Sequence, residues 1–427
     1  MRGLTLIAAL AVATVAGIQP AAADDDADRP RGDMPPATAD LDQLLALGLS
    51  SSESRAAFEQ LRALLLERVG GDRVAEADLL MGAMQGMIEV ANRRLALDAS
   101  PRQATLPPAG MLMPVNDAER LSAGLSGQMT GVGIEFQLHS NPGILIVSRI
   151  LPGSPAERAQ LVVGDQVLGI DSQPLLGQPL RQVLGLLRGE PGSRIRLDVL
   201  RGDQLGASQF AVELERTAFE VRSVAEAMHR NGVGYAQVFQ LHQGTAVELA
   251  DSLTRLQELG ATSFVLDLRN TPGGDIAAVA EIADLFLPES TVVLRLVEPG
   301  VGEQDLIAKG PATFRQDLVV LVNGWTYGAA EALAASLKEH GRAYLIGEPT
   351  LGTARTQTLL SLGPKLRLRL DSVRLETALG RSWQGEGVLP DLPLWPGAES
   401  PSVAVGPLDP QFQHAVHYLE EQAAAPR

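Results

Sequence analysis

The chain has 427 residues, 45% of them apolar, which is enough for two or three domains with real cores. Fifty-one acidic against 35 basic residues give a formal charge of −16, arguing against nucleic acid and anionic membrane surfaces as general partners. The absence of cysteine excludes disulfides, a thiol nucleophile and cysteine-ligated metal.

Residues 1–23 read as a secretory signal: Arg2, an apolar centre from Leu4 to Ile18, then Ala21-Ala22-Ala23 as a small-residue cleavage site. The apolar run is short for a membrane span, so export with cleavage and no lasting membrane anchor is expected. Residues 24–38 form an acidic, proline-containing leader expected to be flexible. Residues 39–127 are expected to be helical to about 98, then a connector. Ser50 with Glu53 makes a capping box ahead of Phe58, Leu61, Leu64 and Leu65. A second helix carries Leu80, Met84, Met87 and Ile88 as a stripe read as core, with a face for self-association as the alternative. Pro101, Pro107, Pro108, Gly110 and Pro114 mark the connector.

From residue 128 to 215 short strands are predicted. Ile144 to Ile150 is rich in β-branched residues, Gly164-Asp165 turns the chain into Gln166–Ile170, and Ile195, Leu197 and Val199 alternate with polar residues. Pro179 to Leu187 suits one short helix. This unit resembles a PDZ domain. Gly131-Val132-Gly133-Ile134 is similar to the loop whose main-chain N–H groups capture a peptide carboxylate, and Gly153-Ser154-Pro155-Ala156, Leu161 and Ile170 follow the same pattern. The resemblance implies that a peptide C-terminus adds a strand between that loop and the helix, with apolar side chains preferred.

Residues 216–395 alternate strands and helices. Ser263 to Leu268 reads as a buried strand, and Asp275 caps a helix running to Phe286. Gly273 and Gly274 offer bare N–H groups suited to an oxyanion, although a plain strand-to-helix turn has the same composition. Leu318 to Val322 is a second buried strand, followed by Ala330, Leu333, Ala334 and Leu337 at helical spacing with a stop at Gly341. Strand, sharp turn and helix is how a hydrolase presents a nucleophile, yet Trp325-Thr326-Tyr327-Gly328 contains neither serine nor cysteine. Residues 396–427 form a tail in which Asp409-Pro410 starts a helix carrying Phe412, Ala415, Val416 and Leu419. His414 and His417 on it read as surface residues, and no metal or organic cofactor is expected.

The ordered set of motifs resembles the carboxyl-terminal processing protease family over roughly residues 55–395. It comprises Gly82 to Met87, the PDZ pattern, Leu266 to Gly274, Leu318 to Asn323, Gly347 to Thr350 and Gly387 to Asp391. The implied fold class is α/β: a protease core of alternating strands and helices, a PDZ domain and an N-terminal helical region. The family cuts with a serine and a lysine. Matching the family's glutamate to Glu331 places the nucleophile position at Gly328. The loop Thr350-Leu351-Gly352-Thr353-Ala354 puts Thr353 at the base position, and Gln357 matches a glutamine that supports the lysine. Both reactive groups are therefore replaced.

Glycine has no side chain to attack with, and threonine accepts no proton near neutral pH. Thr326 is the alternative nucleophile. Of the three lysines, Lys338 lies about 15 Å along the helix from Gly328 by helical rise. Lys365 falls in a strand whose basic residues are expected to face solvent, and Lys309 in a loop. His242 or His340 would serve in a different triad, as in tricorn-like relatives, although His340 also suits a helix C-terminus. The leading expectation is an exported homologue that binds protein or peptide C-termini without cutting them, as an adaptor or a regulator of an active protease. The alternative is an endopeptidase with a relocated nucleophile or base.

Overall fold

The computed structural model describes residues 50–69, 75–95, 109–138, 145–151, 153–176, 178, 183, 186–187, 189–202, 207–220, 222–395 and 409–424. The secretory signal, the acidic leader and most of the Pro179–Leu187 helix lie outside them. Two compact units are formed; of the described residues, 50–69, 75–95 and 109–112 belong to one and the rest to the other.

In the smaller unit, helices span Ser51–Val69 and Glu76–Leu95. The capping box forms as expected: the Glu53 N–H donates to the Ser50 hydroxyl (3.3 Å), and the Ser50 N–H to Glu53 Oε2 (2.8 Å). These bonds hold the Glu53 carboxyl below its ordinary pKa. The apolar stripes expected as core are only partly covered. Phe58, Leu61, Leu64, Leu80 and Met87 are exposed.

In the larger unit, the expected connector is regular structure at its end. A helix spans Val115–Leu125, starting directly after Pro114, and no breaker falls before Gly124. The PDZ sheet runs in the order Ile134–Leu138, Leu145–Ile150, Gln166–Ile170, Arg194–Arg201, Ser208–Glu215, all antiparallel. Ile195, Leu197 and Val199 point into its core, where Leu145, Val147, Val167 and Ile170 are also buried. A two-stranded ribbon, Gln128–Gly131 against Thr217–Glu220, joins this domain to the rest.

The second domain is built on a six-stranded sheet ordered Val224–Met228, Val233–Val238, Ser263–Asp267, Asp317–Val322, Tyr344–Gly347, Leu392–Pro393. The first pair is antiparallel and the others parallel. Continuous apolar runs such as Leu318–Val322 are what a sheet covered on both faces requires. Helices Thr245–Glu258, Ile276–Ala283 and Ala329–Glu339 share one core with alternate strand residues, including Phe264, Leu266, Val320 and Val322. The opposite face, with Val265, Val319 and Leu321, is covered by the C-terminal helix Pro410–Ala424 through Phe412, Ala415, Val416 and Leu419. Phe412, Val416 and Leu419 each contribute about 1.5–3 kcal/mol by leaving water. Asp409 caps that helix, its Oδ1 accepting from the Gln411 and Phe412 N–H groups. Its carboxylate also reaches Arg269 (2.6 Å), which is bonded in turn to Asp267.

A second antiparallel sheet pairs Arg355–Ser361 with Leu366–Glu376, then Val292–Glu298 and Gly302–Ile307. Here the expectation of solvent-facing basic residues fails at Arg369, which is 4% exposed. The leucine–arginine alternation identifies two faces of a strand but not which is covered.

Candidate functional site

The strand Asp317–Val322 ends in the Asn323–Gly328 turn, which leads into the Ala329–Glu339 helix. Asn323 and Thr326 build the turn. The Thr326 hydroxyl is fully buried, donates to the Leu268 carbonyl (2.7 Å) and accepts from the Asn323 N–H (3.1 Å). Asn323 Oδ1 accepts from the Asn270 N–H (3.0 Å), and the Tyr327 N–H donates to the Thr271 carbonyl (3.2 Å). The hub turn and the Asn270–Gly274 turn are thus stitched into one unit. Thr326, read as the alternative nucleophile, is consumed in holding it together.

Gly328 has φ 60° and ψ −120°, a backbone setting glycine adopts readily and other residues rarely. A Cβ built on it would lie 3.0 Å from Gly273 Cα. Its N–H donates both to Thr353 Oγ1 (3.0 Å) and to Glu331 Oε2 (3.0 Å). Gly328 and Thr353 therefore stand side by side. Between them lies a fully buried carboxylate. Glu331 Oε2 also accepts from the Thr353 hydroxyl (2.6 Å) and N–H (2.8 Å), and Oε1 from the Thr350 hydroxyl (2.5 Å) and Gly352 N–H (2.6 Å). Burial raises the pKa of this carboxyl, while the hydrogen bonds from Thr350, Thr353 and Gly352 oppose the rise.

Gly273 faces Gly328, and the Tyr327 ring lies 3.6 Å from where a Gly273 Cβ would be. Burial raises the Tyr327 phenol pKa. Tyr327 thus fills space beside the glycine turn, whereas Trp325 is 58% exposed and does not. Gly274 is bridged to Leu241, whose carbonyl would sit 2.2 Å from an added Cβ, so this position admits only glycine. Asp275 caps the following helix through the Ala277 N–H (2.9 Å).

The other sequence candidates are not brought to this point. Gln357 lies exposed at a bulge and makes no hydrogen bond to Thr353 or Glu331. Lys338 pairs with Asp391 (2.9 Å) and donates to the Leu389 carbonyl (2.6 Å), while Lys309 and Lys365 are exposed. His242 is buried, with Nδ1 accepting from the Gly244 N–H (3.1 Å). His340 Nε2 lies 2.9 Å from the Val292 carbonyl at its helix C-terminus. Sequence reasoning used Glu331 only to set the register and missed that it ties the site together. Its place at the third residue of a helix, where a carboxylate reaches back to main-chain N–H groups, was the available signal.

In the PDZ domain Val132 and Ile134 are buried, and Gly133 has φ 74°. A Cβ on Gly133 would fall 2.0 Å from Ser154 Cβ. The Val132 and Gly133 carbonyls accept from Ala156 and Leu151, while the N–H groups of both residues have no main-chain acceptor among the described residues. Among the described residues Ile134–Leu138 is the edge strand of its sheet.

A PDZ domain joined by a ribbon to an α/β core, with a diglycine turn facing a strand–turn–helix elbow, defines a peptidase-type architecture. The chain belongs to the carboxyl-terminal processing protease family, peptidase family S41. Residues 232–394 match the model of peptidase family S41 and residues 146–201 that of the PDZ domain. The carboxyl-terminal-processing protease of Synechocystis sp. is 32% identical over 298 residues, covering 69% of each chain. That of Picosynechococcus sp. is 33% identical over 71% of this chain and 73% of its own. The carboxy-terminal processing protease CtpA of Bacillus subtilis is 27% identical over 79% of this chain and 67% of its own. The solved structure of a photosystem II D1 C-terminal processing protease has 22% identity, covering 83% of this chain and 96% of its own with a TM-score of 0.45.

Proposed function

We propose that this chain captures the C-termini of proteins or peptides through its PDZ domain and does not cleave them, acting as an adaptor or as a regulatory partner of an active protease. One contact carries the reading: the Gly328 N–H bonded to Thr353 Oγ1. It supports the register that assigns these residues to the nucleophile and base positions, and at those positions stand a hydrogen atom and a hydroxyl committed to Glu331. Where such a pair acts as a unit, loss of the nucleophile alone lowers turnover by on the order of 10⁶, or about 8 kcal/mol of barrier. Oxyanion donors at Gly273 and Gly274 would retain only a small rate over water. Purified protein incubated with peptides bearing free apolar C-termini is expected to bind them without product. Product formation that persists after removal of contaminating proteases, and that Thr326→Ala abolishes, would instead establish a relocated nucleophile.

Export is part of the same proposal and is supported by Arg2, the Leu4–Ile18 run and Ala21–Ala23. Among the described residues no helix is long and apolar enough to cross a membrane. N-terminal sequencing of the chain from a secreting host tests it, with a start near Asp24 expected.

A further inference from the structure

Two strands of the second antiparallel sheet each have a single neighbour among the described residues. Arg355–Ser361 pairs only with Leu366–Glu376, and Gly302–Ile307 only with Val292–Glu298. The outer side of such a strand is a row of unpaired N–H and C=O groups, a template for another strand unless charge or a covering segment blocks it. Apolar side chains lie open at both places: Leu359, Leu360 and Leu362 along the first, Val301 and Ile307 at the ends of the second.

The two edges differ in the sign of their charge. Residues 355–375 hold Arg355, Lys365, Arg367, Arg369 and Arg374 against one carboxylate, Asp371, within a chain that is acidic as a whole. Arg369 is buried, but Lys365 and Arg374 are exposed and Arg355 and Arg367 half-buried, with only Glu376 near Arg374 (3.8 Å). Residues 296–308 hold Glu298, Glu303 and Asp305 and no cation. Arg295 of the adjacent strand reaches Asp305 (2.8 Å) and Glu303 (3.7 Å), one cation for three carboxylates. Like charges oppose pairing of either edge with its own copy, and opposite charges favour the basic edge against the acidic one.

We propose that this sheet is a self-association surface, in which Arg355–Ser361 of one copy adds as a strand beside Gly302–Ile307 of a second copy. Main-chain hydrogen bonds supply the contact, the exposed leucines meet Val301 and Ile307, and the charges set which edge meets which. Different surfaces meet, so the contact is head-to-tail, and every added copy leaves one edge of each sign for the next. Edges of six and seven residues make a small interface, which belongs to the weak, concentration-dependent class.

Sedimentation velocity on the purified protein tests this. The average mass is expected to rise between about 5 and about 200 μM at low salt and to fall back toward the monomer at about 0.5 M salt. Lys365→Glu with Arg374→Glu makes both edges acidic, and Glu298→Lys with Glu303→Lys makes both basic. Each pair should weaken association by about 10-fold or more, with a near-native melting curve. An equal mixture of the two variants should recover wild-type association, because each edge again faces its opposite. A wild-type protein that stays monomeric throughout overturns the inference, as does a mixture that recovers nothing. Association that the Glu298→Lys, Glu303→Lys pair leaves unchanged also overturns it. That result assigns assembly to the basic edge alone or to another surface, such as the exposed side chains of the N-terminal helices.

Discussion

The Gly328 N–H and the Thr353 hydroxyl lie 3.0 Å apart and share the same carboxylate oxygen of Glu331. With the Thr350 hydroxyl and the Gly352 N–H they form a closed set of hydrogen bonds around that carboxylate.

Restoring both groups tests that relationship directly. Gly328→Ser with Thr353→Lys is expected to gain cleavage of C-terminal peptides, and each single substitution to remain inactive. The serine Cβ would lie 3.0 Å from Gly273 Cα in a left-handed backbone setting, so Gly328→Ser alone should lower stability by about 1–3 kcal/mol. Peptide cleavage assays and denaturant melts read the two effects separately.

Glu331→Gln leaves one oxygen and an amide where two oxygens accept from Gly328, Thr350, Gly352 and Thr353. At least two buried donors then lose their acceptor, and a loss of about 2–4 kcal/mol is expected. Urea unfolding at pH 7 measures it, and a loss below that of an ordinary surface substitution would contradict the bonding scheme.

Asp371 predicts a pH dependence. Burial pushes its pKa up to about 6, against the pull of Arg369 and Arg355, and its Oδ1 has no hydrogen-bond partner among the described residues. A carboxyl raised on folding binds more protons in the native state than in the unfolded one. Its contribution therefore favours folding at low pH and is lost as pH rises through the window from about 4 to about 6. Asp371→Asn should remove that slope and stabilise the protein at pH 7.5 by about 1–3 kcal/mol. Melts of both proteins from pH 4 to 8 settle the sign.

Thr326→Ala deprives the Leu268 carbonyl and the Asn323 N–H of their partner in a fully buried turn, for an expected loss of about 1–3 kcal/mol. Thr326→Ser, which keeps the hydroxyl, should recover most of it. Gly133→Val places a side chain on Ser154 and is expected to abolish peptide binding, whereas a purely structural role for the PDZ domain would leave partner capture unchanged.

Local chemistry made much of this protein legible from its residues. Alternation identified Ile195, Leu197 and Val199 as core-facing, and unbroken apolar runs identified Leu318–Val322 as a strand covered on both faces, because side-chain direction follows directly from backbone period. Ser50 with Glu53 and Asp409 with Pro410 announced their helices, since a cap acts within four residues. Contacts between distant segments were not legible in this way. Nothing local to Thr326 says that its hydroxyl is taken by Leu268, 58 residues earlier, or that Glu331 gathers donors from residues 350–353. Likewise the pattern of Leu366–Leu370 cannot reveal that Arg369 is buried, nor that around Gln357 that this residue is exposed. Backbone period and capping are set by neighbours along the chain, whereas burial and hydrogen-bond partnership depend on which segments the fold brings together, and only the tertiary structure decides that.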